Sequence, residues 1–103
     1  MKTILSTTEI IGFVAHDESE VEVCATAEAN FDEERSQMEV KLDSFVRPVA
    51  LHARQKPVCP QWLPQRQTAS EHVPRPEAVE LAREIFHRWV GRVRQSVPMP
   101  IHN

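Results

Sequence analysis

Glu20-Val21-Glu22-Val23-Cys24-Ala25-Thr26-Ala27-Glu28-Ala29-Asn30-Phe31 is the stretch that decides the fold. Val21, Val23, Ala25, Ala27, Ala29 and Phe31 alternate with Glu20, Glu22, Cys24, Thr26, Glu28 and Asn30. A period of two puts the two sets on opposite faces of an extended chain, the pattern of a strand with one buried and one wet face. The buried set is unusual, because Ala25, Ala27 and Ala29 are weak strand formers. Three small side chains in a row let a large group pack close above them.

The neighbours extend the pattern on both sides. Asp32-Glu33-Glu34-Arg35-Ser36 is polar and turn-like. From Gln37 to Asp43, Met38, Val40 and Leu42 alternate with Glu39, Lys41 and Asp43, which predicts an antiparallel hairpin. Upstream, Glu9 to Ala15 is rich in Ile, Phe and Val and predicts another strand, with His16-Asp17-Glu18-Ser19 as its turn. Downstream, Phe45 to Leu51 predicts a fourth strand, Pro48 marking an edge or a bend. The sheet face carrying the even-numbered set should be charged and covered by water.

Residues 52–76 hold Pro57, Pro60, Pro64, Pro74 and Pro76, five of the eight prolines. Proline removes a donor and restricts its predecessor, so this stretch predicts an irregular strap. Val58, Trp62, Leu63 and Val73 can pin it to the body; a binding arm is the rival reading. From Glu77 the period changes. Ala78, Val79, Leu81, Ala82, Ile85, Phe86, Trp89, Val90 and Val93 share one half of a helical wheel. Pro76 suits the first turn, and Ser96-Val97-Pro98 ends the segment. Phe86 and Trp89 are the large groups that the alanine strand can accommodate.

The predicted fold is therefore α+β and occupies residues 1–103 as a single domain. A meander of three to four antiparallel strands spans about residues 9–51, the strap 52–76, and one amphipathic helix, about 77–95, packs on the sheet. Its core is Ile11, Phe13, Val21, Val23, Ala25, Ala27, Met38, Val40, Leu42, Leu81, Ile85, Phe86 and Trp89.

Charge is divided along the chain. Residues 1–46 carry three Lys or Arg against eleven acids, a net of −8; residues 47–103 carry nine against four, a net of +5. The halves neutralise each other within one chain or between copies, or one of them meets a partner of opposite charge. No apolar run approaches the roughly 18 residues of a spanning helix. Thr7, Thr8 and Glu9 interrupt any leader-like stretch, so a cytoplasmic protein with reduced thiols and no membrane association is expected.

Few residues are arranged for chemistry. Cys24 lies among glutamates, which hold a thiol protonated. Cys59, with His52 and Lys56 nearby in sequence, is the better nucleophile, and a small enzyme using Cys59 and His52 is the third reading of function. His16, His52, His72, His87 and His102 lack the neighbouring partners of a zinc motif, so neither metal nor cofactor is expected. Arg54, Lys56, Arg66, Arg83, Arg88, Arg92 and Arg94 could meet phosphate. The helical arginines form no single stripe, however, and the pI is about 5.9. A nucleic-acid-associated regulator using the basic half is the second reading. The first is a non-enzymatic protein-interaction or oligomerisation module, a homodimer or a small subunit of a complex, with Trp62, Arg88 and Arg92 as candidate partner contacts.

Overall fold

A computed structural model describes residues 1–16, 18–49 and 56–98. The elements are β1 (Lys2–His16), β2 (Ser19–Asp32), β3 (Gln37–Pro48), β4 (Gln67–His72) and α1 (Arg75–Ser96). The strands form one antiparallel sheet in the order β1-β2-β3-β4. The α+β fold, with one C-terminal helix on an antiparallel sheet, is the one the sequence predicts.

The strands are longer than their alternation suggests. β1 begins at Lys2 rather than Glu9, because Thr3, Ile4, Thr7 and Thr8 are β-branched and fit an extended chain. Its register against β2 slips twice, between Thr3 and Leu5 and between Ile10 and Gly12, so Ile4 and Ile11 are extra residues. Ile11, the extra residue of the second slip, is buried on the helix side. Glu18, at φ 65, turns the chain into β2. The β2–β3 turn is held by Asp32, whose Oδ1 accepts from the backbone N–H groups of Glu34 (3.1 Å) and Arg35 (3.3 Å).

Two sequence expectations need correction. Phe45–Leu51 is not a fourth strand: β3 runs unbroken to Pro48, since nothing between Asp43 and Phe45 can turn the chain. Ala50 and Leu51 lie outside the described residues, as do strap residues 52–55. The fourth strand falls instead at Gln67–His72, inside the stretch predicted to be irregular. Pro64 and Pro74 bracket a proline-free window long enough to pair with Gln37–Leu42 at the sheet edge. The described part of the strap before it hugs β3 as expected. Val58 and Val46 exchange two backbone hydrogen bonds (2.8 and 3.0 Å), and the buried Ser44 hydroxyl donates to the Pro64 carbonyl (3.2 Å).

One face of the sheet packs on α1. Val21, Val23, Ala25, Ala27, Ala29 and Phe31 of β2 and Met38, Val40, Leu42, Ser44 and Val46 of β3 are all buried. Ala78 and Ala82 of the helix are fully enclosed in the same cluster, so small residues on both sides bring helix and sheet together. Trp89 is 3% exposed, and its indole Nε1 donates to the Asp43 carbonyl at 2.8 Å, tying the helix to β3. Leu81 and Phe86, predicted as core, lie half-buried at the rim. Phe13 is not in this core: it stands opposite Glu22, on the other face. The bulge at Ile11 reverses the alternation that would have turned it inward. At roughly 1.5 Å per residue, the 22-residue α1 is about 33 Å long against a longest molecular dimension of 49 Å. It reaches β1, β2 and β3 but leaves the opposite face open.

Candidate functional site

That open face has two halves. One is polar: Thr8, Thr26, Glu28, Lys41, Asp43 and Arg66 surround a shallow hollow of about 280 Å³. Thr3 Oγ1 donates to Asn30 Oδ1 (2.9 Å) beyond it. The other half is apolar, against the expectation of a charged, water-covered face. Cys24 stands between Ile10 of β1 and Phe45 of β3 in the ladder and is completely buried. Phe13 and Phe45 are half-buried beside it, and Ile10 remains 45% exposed.

An ion pair borders this apolar end. Arg47 Nε lies 2.7 Å from Glu22 Oε2 across the β2–β3 rung, with the guanidinium 6.0 Å from the centre of the Phe45 ring. The hydrogen bond that Arg47 donates to Glu22 holds its guanidinium still more firmly protonated. The Cys24 thiol is pushed above its ordinary value of 9.0, mainly by burial. The Arg47 charge acts downward on it, and Glu22 adds a smaller upward push. Glutamates alone were the expected cause; desolvation is the larger one.

Among the described residues, three ion pairs join the acidic half of the chain to the basic half. Arg47 meets Glu22, Arg66 Nη2 is 3.4 Å from Asp43 Oδ2, and Arg75 Nε is 3.0 Å from Glu33 Oε1. Arg83 lies 3.8 Å from Glu80 on its own helix. Those at exposed side chains, Arg66–Asp43, Arg75–Glu33 and Arg83–Glu80, add little stability. Their importance is that they commit cations a polyanion would need.

The residues singled out from sequence do not converge on one site. Trp62 is half-buried and packs against the core. Arg88 and Arg92 are exposed one turn apart on α1, and the Arg92 guanidinium lies 5.7 Å from the centre of the Trp89 ring. Cys59 is exposed, its Sγ 3.9 Å from the Pro60 carbonyl. Its thiol is raised by partial burial and by Asp43, with a hydrogen bond to Ser44 opposing them. His52, its supposed base, and Arg54 and His102 lie outside the described residues. Among the described residues no three His, Cys, Asp or Glu side chains are grouped to hold a metal ion, and no helix is long and apolar enough to cross a membrane.

Sequence reasoning missed Ile10 and Phe45 as a pair and the first seven residues of β1. Ile10 carried a signal: it sits next to Ile11, and adjacent strand residues point to opposite faces, so burying Ile11 leaves Ile10 on the open face. A scan against protein-family models, a search of curated proteins and a search of solved structures each return no match.

Proposed function

We propose that the chain is a non-enzymatic protein-interaction module that works as a homo-oligomer. The observation that carries this reading is the apolar end of the open face, where Ile10 stays 45% exposed beside Phe13 and Phe45. A large aliphatic side chain left in water beside two aromatic rings gains free energy when a protein surface covers it, about 25 cal/mol per Å² of apolar area. Chemistry has weaker support. Cys24 is enclosed, and Cys59 is held above the ordinary thiol range, so neither supplies a ready thiolate at neutral pH. Nucleic-acid binding is weakened by Arg47, Arg66 and Arg75, whose nearest charged partners are the chain's own acids.

Sedimentation velocity from low micromolar to submillimolar concentration tests the proposal. The wild-type chain should show a mass that rises with concentration, and Ile10→Asp should lower it without lowering the melting temperature by more than a few degrees. A wild-type monomer across the whole range contradicts the reading.

A further inference from the structure

β1 lies at the edge of the sheet, with β2 on one side and, among the described residues, no strand on the other. An edge of 15 residues is long, and the bulges at Ile4 and Ile11 are its main guard. It contains no proline, and Thr3-Ile4-Leu5-Ser6-Thr7-Thr8, between Lys2 and Glu9, is uncharged. We infer that β1 pairs antiparallel with β1 of a second copy, about a two-fold axis through Ser6, joining two sheets into one. The inference rests on the self-association proposed above and names its surface.

The register follows from the positions along β1. A two-fold axis perpendicular to the sheet pairs side chains that share a face. Lys2, Thr3, Leu5 and Ser6 stand opposite Phe31, Asn30, Ala29 and Glu28 of β2, with Ile4 the extra residue. Thr7, Thr8 and Glu9 follow opposite Ala27, Thr26 and Ala25. Ser6 is therefore three rungs from Lys2 and three from Glu9. With the axis at Ser6, Lys2 of each copy meets Glu9 of the other, both on the helix side.

The remaining rungs agree. Thr3 meets Thr8, both on the open face, and Leu5 meets Thr7 on the helix side. The two Ser6 hydroxyls, exposed in one chain, face each other on the axis. One rung beyond the ion pairs, Met1 (82% exposed) meets Ile10 (45% exposed), so two of the most exposed large apolar side chains cover each other. Moving the axis one rung either way shifts every pairing by two rungs. Both Lys2 and both Glu9 side chains then lose their opposite charge. Charge complementarity with a second copy thus selects one register.

The test uses the full chain and sedimentation equilibrium. Wild type should associate to twice the monomer mass. Ser6→Lys, which sets two ammonium groups on the axis, should raise the dissociation constant at least about tenfold, because like charges directly opposite are destabilising. Ser70→Lys, on the exposed β4 edge opposite Glu39, should leave it unchanged. Lys2→Glu alone and Glu9→Lys alone should each weaken association, by about two- to thirtyfold if two cross-strand ion pairs are lost, and the double variant should restore it. Should Ser6→Lys fail to fold, Ser6→Cys in a Cys59→Ser background decides the matter. Directly opposed residues in antiparallel strands have Cα atoms about 4.5–5.5 Å apart, within disulfide reach, so oxidation should give a covalent dimer. If wild type associates but these variants leave association intact, and no crosslink forms, the β1 contact is overturned while the self-association reading stands. If wild type is a monomer throughout, both fall.

Discussion

Replacing Trp89 tests the link between helix and sheet from which the fold is built. Its ring is 3% exposed, and its Nε1 donates to the Asp43 carbonyl at 2.8 Å. Trp89→Ala removes both the buried ring and that hydrogen bond, at about 3–5 kcal/mol. Trp89→Phe keeps much of the ring but leaves the carbonyl without its indole partner, at about 1–3 kcal/mol. Against a total of about 5–15 kcal/mol, the alanine variant is close to unfolding. For a domain of this length each kcal/mol lowers the melting temperature by roughly 4–8 °C, so Phe should melt about 4–24 °C lower and Ala about 12–40 °C lower. Thermal circular dichroism reads both, and urea titration followed by the remaining Trp62 fluorescence gives the free energies. A Trp89→Ala chain melting within a few degrees of the parent would refute helix-over-sheet packing through Trp89.

Other expected outcomes follow from single residues. Gly91 sits in α1, and a Cβ there would meet nothing within 4 Å. Gly91→Ala should therefore stabilise by about 0.5–1 kcal/mol in urea denaturation, and a loss of stability would mean that the helix surface there is covered. The folded Cys24 thiol is raised above its ordinary 9.0, so above that pH the unfolded chain loses its proton first and binds fewer protons than the native state. Stability should be flat below that pH as far as this group is concerned and should fall as pH rises past it. Cys24→Ala should flatten the fall, and equal alkaline slopes in the two proteins would contradict the assignment. Random-sequence DNA should give no shifted band at about 50 mM salt; a band there that vanishes by about 200 mM would show arginines free to meet phosphate.

The parts of the fold legible in the sequence were those with an unbroken period. Val21 to Phe31 announced β2, and Ala78 to Val93 announced the helix, because each buries one continuous face. β4 was hidden because Gln67–His72 is an edge strand with only Ala69 half-buried, so it had no apolar alternation to display. β1 was shortened in the reading because its first half is polar as well as β-branched. The face of Phe13 was lost for a different reason: the bulge at Ile11, itself buried as expected, inverts the parity of everything after it. The candidate site suffered most from this. Cys24 reads as a wet-face residue until Ile10 and Phe45 are placed on either side of it, and only pairing across three strands does that.

Hydrogen exchange followed by mass spectrometry, at low micromolar and at submillimolar protein, tests the self-association account most directly. Amides between Lys2 and Glu9 should exchange more slowly at the higher concentration, as the outward-facing groups of β1 gain partners. Amides of β4, at the opposite edge, should exchange alike at both concentrations. Equal exchange in the Lys2–Glu9 segment at the two concentrations, or slowing confined to β4, would contradict association through the β1 edge.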